Sequence, residues 1–193
     1  MQPLIVRRIL ISKKWMRLEM RLFMSSSFSK KSSKAIAIAG ASGFVGSHLI
    51  ERLKQTSHSV VALSRHSLPQ GGGEAHSVQW RKTDLFSVKS TFEALQGVDT
   101  AIYLVHSMMP SSHLFQGSFH DADLLLADNF ARACVANQVK QIIYLGGVAP
   151  EGYVSQHLQS RLEVEGVFRA TGIPFTALRA GMIVGTWGVV HLR

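Results

Sequence analysis

From residue 35 onward, short apolar runs alternate with longer stretches of helical periodicity. Ala35-Ile36-Ala37-Ile38-Ala39 is apolar at every position, as a strand covered on both faces requires. Residues 45 to about 54 then carry apolar side chains at helical spacing. Ser59-Val60-Val61-Ala62-Leu63 predicts a second strand, 78–85 a third, Thr100-Ala101-Ile102-Tyr103-Leu104-Val105 a fourth, Gln141-Ile142-Ile143-Tyr144-Leu145 a fifth and Phe175-Thr176-Ala177-Leu178-Arg179 a sixth. Further helices are predicted over 87–95, closed by Gly97, and over 157–170, stopped by Gly172 and Pro174. A long helix is predicted over 119–137, with Ala122, Leu125, Leu126, Phe130, Ala133 and Cys134 on its core face. The segments 70–73 and 107–118 read as surface loops. Strands alternating with helices predict an α/β fold, a doubly wound parallel sheet with right-handed crossovers and helices on both faces. Ligands of such sheets lie beyond the carboxyl ends of the strands. Chemistry is therefore expected around Gly40, Ser64, Arg65, His66, Asp84, His106, Gly146 and Ala180.

The first of these strand ends carries the strongest pattern. Gly40-Ala41-Ser42-Gly43-Phe44-Val45-Gly46 joins a readable strand to a readable helix. Gly40 lets the chain turn out of the strand, Gly43 lets a pyrophosphate approach the backbone, and Gly46 lets the helix pack close to the strand. The free N–H groups and dipole of the helix then favour negative charge. Gly40, Ser42, Gly43, Phe44, Val45 and Gly46 are the expected dinucleotide contacts on this turn.

Two more strand ends bear on which dinucleotide. An NAD site usually places an acid at the end of the second strand, to accept hydrogen bonds from the ribose hydroxyls. This chain has Ser64-Arg65-His66 there. The fork of Arg65 suits a 2′-phosphate, so NADP is favoured over NAD, with a solvated surface arginine as the plain alternative. Asp84 is placed to accept a hydrogen bond from the adenine amino group, with Leu85 against the ring. An Asp at that point equally suits a cap for the helix that begins near Ser87.

Charge separates the chain into two parts. Of its 193 residues, 21 are Lys or Arg and 12 are Asp or Glu, a formal +9. Nine of the basic residues and a single acid, Glu19, lie in 1–34. The remainder, 35–193, is close to neutral, which excludes nucleic acid as a partner of the main domain. Residues 1–34 form a basic leader in which Arg7, Lys13, Lys14, Arg17 and Arg21 gather on one side of a helical wheel and Leu4, Ile11, Trp15, Leu18 and Leu22 on another; a Ser/Lys-rich linker follows. Three readings stand: an amphipathic helix on an anionic membrane surface, an organellar transit peptide, or an appended segment with Met24 as the internal start. The expected compartment is cytoplasmic, with an organelle or a peripheral membrane position through 1–34 as alternatives. The lone cysteine, Cys134, excludes an internal disulfide and reads as a buried thiol.

The glycine loop, Arg65, Thr83-Asp84-Leu85, Tyr103-Leu104-Val105-His106-Ser107-Met108 and Tyr144-Leu145-Gly146-Gly147 together resemble the short-chain dehydrogenase/reductase superfamily, in particular an atypical, NmrA-like subgroup. The resemblance covers 35 to about 185. It implies a Rossmann fold and NAD(P) binding, with Val105 and His106 beside the cofactor, and no settled substrate. Active members of the superfamily use a Ser at the end of the fifth strand and Tyr-x-x-x-Lys on the next helix. Here the fifth strand ends in Gly146-Gly147, and His157-Leu158-Gln159-Ser160-Arg161 places His at the Tyr position and Arg at the Lys position. Glu165 matches an acid of the extended subfamily, while Tyr153 is followed at the proper spacing by His157 and not by Lys. The catalytic residues are thus unknown, with His106, His157 and Arg161 as weak candidates; an imidazole transfers protons near neutral pH, though a lone loop His is more often structural. No tight His, Cys or acid spacing suggests a metal site. Met108-Met109-Pro110 suits an apolar pocket lining. The chain ends soon after the sixth strand, without an expected seventh strand or substrate-covering segment, as a fragment of a longer protein would. Two function classes follow: an NADP(H)-linked oxidoreductase or isomerase with a non-standard acid acting on a small molecule, or a non-catalytic module that binds NADP(H) and signals to a partner protein.

Overall fold

The computed structural model describes residues 33–66, 78–106, 119–148, 155–185 and 188–191. Apart from Ser33 and Lys34, the leader 1–34 lies outside the described residues; so do the turn 70–73, the loop 107–118 with Met108, Met109, Pro110 and His113, and Tyr153 and Trp187.

Six strands, β1 (Ala35–Ala39), β2 (Ser59–Ser64), β3 (Gln79–Lys82), β4 (Thr100–Tyr103), β5 (Gln141–Gly147) and β6 (Phe175–Ala180), form one sheet in the order β3-β2-β1-β4-β5-β6. Each pairing is parallel. Four helices are described: α1 (Phe44–Leu53), α2 (Val88–Ala94), α3 (Phe119–Ala136) and α4 (Gln156–Arg169). This is the doubly wound α/β architecture that the alternating pattern predicts. The chain runs outward from β1 through β2 to β3, then returns to build β4, β5 and β6 on the other side. The strand order therefore reverses between β1 and β4, which opens a crevice at their carboxyl ends.

Period two in β1 separates two cores. Ala37 and Ala39 face a large cluster against α2, α3 and α4, built around Leu95, Tyr103, Phe130, Ile142, Tyr144 and Phe168. Ile36 and Ile38 face a smaller one with Ile50 of α1, Val60, Ala62 and Ile102. The small side chains of β1 make room for the rings on the first face: Tyr103 packs on Phe130 and Phe168 with centroids 5.1 and 5.0 Å apart. Cys134 is fully buried in this cluster, and burial pushes its thiol up to about 12.

The structure corrects several boundaries. The third strand, expected over 78–85, pairs only over Gln79–Lys82; Thr83 still donates to the Ser64 carbonyl at 2.8 Å, and the chain then turns. The fourth strand ends at Tyr103 rather than Val105, although Leu104 N–H reaches the Ala39 carbonyl at 2.9 Å. The fifth runs on through Gly146 and Gly147, paired with Arg179 and Ala180. Among the described residues the sheet ends at its sixth strand, as expected, but β7 (Met182–Gly185) and β8 (Gly188–His191), strands not expected from the sequence, form a separate antiparallel pair with Ile183 opposite Val190 and Val184 opposite Val189. Among the described residues no helix is long and apolar enough to cross a membrane.

Candidate functional site

The glycine turn leaves β1 at the switch point. Gly40 has φ +84°, a conformation that side chains disfavour, and a Cβ there would lie 3.1 to 3.2 Å from Leu104 at the end of β4. At Gly46 a Cβ would lie 2.3 Å from the Gly40 carbonyl oxygen and 2.8 Å from Ala41 Cα. The first turn of α1 is thus pressed against the loop that precedes it. Gly43 N–H donates to the Gly40 carbonyl at 3.0 Å, and Gly43 is the N-cap of α1. No side chain caps that helix and no acid stands in its first turn. The first N–H groups of a helix have no partner within it, so this end presents donors and positive potential to an outside anion. Ser42 and Gly43 are exposed, and Phe44 and Val45 are half-buried beside them. A phosphate-bearing ligand fits this cradle, which any side chain at position 46 would displace.

Arg65 is exposed immediately beyond β2, on the same edge of the sheet. The chain there is shaped by His66 N–H, which donates to Ser64 Oγ at 3.2 Å. At the end of β3 the structure decides between the two roles considered for Asp84 in part. Ser87, not Asp84, caps α2, accepting from Ser90 N–H at 3.2 Å. Asp84 is exposed, and its Oδ1 accepts from Phe86 N–H at 3.0 Å, an Asx turn that fixes the carboxylate. Asn129 of α3 holds the same turn through the carbonyls of Leu85 and Phe86, at 2.9 and 3.1 Å. Leu85 and Val105 are half-buried and rest on the larger core.

The end of β4 meets α4 in a charged cluster. His106 Nε2 lies 3.1 Å from Arg161 Nη1. Burial first, and then the Arg161 charge, lower the His106 pKa to about 4, against the opposing pull of Asp123 and the Leu145 carbonyl. Arg161 is 6% exposed. Burial lowers its pKa, while Tyr144 and Asp123 act to raise it. Ser160 Oγ donates to Asp123 Oδ2 of α3 at 3.3 Å, and Tyr144 Oη donates to the Arg161 carbonyl at 3.3 Å. Burial raises Tyr144 well above the usual phenol range. His157, the third candidate, is exposed on the first turn of α4. The helix therefore turns Arg161 inward to His106 and leaves His157 at the surface, separating two residues that share a helical spacing.

The absent serine has a local cause. A Cβ on Gly146 would stand 2.9 Å from Tyr144 Cε1, because residues two apart on a strand share a face and the Tyr144 ring covers that space. Glu165, one turn beyond Arg161, is buried and accepts from Arg179 of β6 at 2.9 and 3.1 Å and from Arg169 at 2.6 Å. Burial raises its pKa, but the two arginines outweigh that and leave it below the usual carboxylate value. It ties α4 to the edge strand. Sequence reasoning passed over Asp123 and Tyr144 as site residues. One signal was present: Asp123 is an acid set inside the apolar stripe of the long helix, where a charge requires a partner.

The family model described as NAD dependent epimerase/dehydratase family matches residues 36–166. The auxiliary protein GraX of Staphylococcus aureus is 29% identical over 112 residues, which are 58% of this chain and 36% of that protein. A UDP-N-acetylglucosamine 4-epimerase from Bacillus cereus superposes with a TM-score of 0.60 and 21% identity, over 79% of this chain and 58% of its own. An NADPH-dependent quinone oxidoreductase from Escherichia coli superposes with a TM-score of 0.57 and 26% identity, over 76% of this chain and 47% of its own. The chain spans little more than a third of the length of that curated relative and about half of these solved structures.

Proposed function

The chain belongs to the NAD dependent epimerase/dehydratase family, and from that premise we propose that it binds a nicotinamide dinucleotide across the carboxyl ends of its strands, with NADP(H) preferred to NAD(H). The observation that carries this reading is the uncapped N-terminus of α1 behind a turn with no room for side chains at Gly40 and Gly46. The pyrophosphate lies on that turn, touching Ser42, Gly43, Phe44, Val45 and Gly46. Arg65 receives the 2′-phosphate, Asp84 and Leu85 border the adenine, and Val105 and His106 border the nicotinamide end. A similar structure whose name states its cofactor, the NADPH-dependent quinone oxidoreductase, supports such a ligand. The proposed activity is a redox or isomerising step on a small molecule, performed without the Ser-Tyr-Lys set. The finer placement among NmrA-like proteins belongs to the same proposal.

Fluorescence titration with NADPH and NADH tests this. NADPH should bind at least about tenfold more tightly than NADH, and Arg65→Ala should abolish the difference, since a charge-assisted fork to phosphate is worth more than one neutral hydrogen bond. Equal affinities with Arg65→Ala harmless would overturn the NADP preference; no binding of either would overturn the dinucleotide reading. A second reading is a binding module without turnover. It is favoured by Gly146, His157 and Arg161 standing where active members carry Ser, Tyr and Lys, and by the Tyr144 ring occupying the space a serine would need. Tight NADPH binding with no consumption of the cofactor across a panel of carbonyl substrates would decide for it.

A further inference from the structure

We infer that Arg161 is the group that faces the reacting end of a bound ligand and that His106 is its positioning residue, so that this end of the crevice holds an anionic or carbonyl oxygen and the imidazole takes up no proton there. This rests on the proposed binding of ligands beyond the strand ends. The steps are stereochemical. A guanidinium has donors and no acceptor, so at 3.1 Å from Arg161 Nη1 the His106 Nε2 must present its lone pair. A neutral imidazole carries one ring proton, so with Nε2 accepting it is Nδ1 that carries it. The Nε2 lone pair is thereby engaged within the protein and the tautomer is set. His106 therefore has no free lone pair with which to act as a base.

Arg161 spends only one of its five donors on that contact. The charged and titratable groups facing the pair come from every packed element: Asp123 on α3, with Ser160 bonded to it, and Tyr144 on β5. A buried guanidinium is costly to keep, and here it is retained at the carboxyl edge of β4 and β5 rather than in the middle of the core. A planar cation held there by a neutral imidazole, its charge favoured by Asp123 nearby, selects for oxygen, and it stabilises negative charge on that oxygen without a proton transfer.

Nitrogen-15 spectra of the chain labelled in His and Arg test the inference, with oxalate as the oxygen-bearing probe and NADPH fluorescence measured alongside. His106 should show a protonated Nδ1 and a pyridine-type Nε2, unchanged from about pH 5.5 to 8.5, because its pKa lies well below that range. Oxalate should shift the Arg161 Nε signal saturably. Arg161→Lys, with folding checked by circular dichroism, should weaken oxalate at least about tenfold. His106→Gln, which keeps an acceptor for the guanidinium, should stay within about threefold, while His106→Leu should lose about tenfold. A protonated Nε2, titration near the ordinary histidine value, an Arg161 signal indifferent to oxalate, or wild-type oxalate affinity in His106→Leu would each overturn the inference. The first three need no variant. Failure of NADPH to bind, with the tautomer and the oxalate shift as expected, would refute the dinucleotide reading alone.

Discussion

Replacing Gly46 by alanine tests whether the first turn of α1 is seated as tightly as its geometry implies. The new methyl carbon would lie 2.3 Å from the Gly40 carbonyl oxygen and 2.8 Å from both Ala41 Cα and the Ala41 carbonyl oxygen. All three neighbours are backbone atoms, so no rotamer relieves the contact; either α1 slides outward or the turn opens. Overpacking of this kind costs about 3 kcal/mol. In a chain of this size that lowers the melting temperature by about 6–12 °C. Because both sides of the clash belong to the turn proposed to hold the pyrophosphate, NADPH affinity should fall with it. Gly166→Ala is the control: Gly166 is exposed on α4, and a Cβ there meets nothing within 4 Å. That change removes the entropic cost of a helical glycine and should stabilise by about 0.5–1 kcal/mol. Thermal denaturation followed by circular dichroism reads both variants. A Gly46→Ala protein melting within about 1 °C of wild type, or a destabilised Gly166→Ala, would refute the steric reasoning.

Further outcomes follow from the same contacts. His106 is neutral in the folded protein and protonated in the unfolded chain between about pH 4 and pH 6.5, so the unfolded state binds more protons in that window and stability falls as pH is lowered through it. Denaturant melts of wild type against His106→Gln should diverge by about 3 kcal/mol from pH 6.5 to pH 4, and parallel curves would count against the buried neutral ring. Glu165→Gln leaves Arg179 and Arg169 without their shared carboxylate and should cost about 2 kcal/mol in urea denaturation at pH 7; because the Glu165 pKa is depressed, the difference should shrink as pH falls through its folded value. Gly146→Ser puts a Cβ 2.9 Å from the Tyr144 ring, so it should destabilise by about 1–3 kcal/mol and yield no NADPH consumption with carbonyl substrates; a gain of turnover would show that the ring moves aside easily.

What the chain declares by itself is local. Alternating Ala and Ile in β1, the apolar face of α3 and the glycines at 40, 43 and 46 are set by periods of two and 3.6 and by backbone sterics, which neighbouring residues express without help. From these the parallel sheet, its switch point and the phosphate-facing turn were legible. Boundaries were less so: Asp84 and Ser87 are both good capping residues, and only the placement of the turn, pinned by Asn129 from α3, assigns the cap to Ser87. The 182–191 pair is not legible in the sequence, because its strands are only four residues each and their pairing lies outside the main sheet. The centre of the site was decided by tertiary structure alone. Arg161 reads as the replacement of a lysine and His106 as a free imidazole, yet β4 and α4 bring them to 3.1 Å across 55 positions of sequence, and the contact takes up the nitrogen a general base would need. Periodicity assigns a side chain to a face; which partner waits on that face, and so which proton it can still move, depends on how distant elements pack.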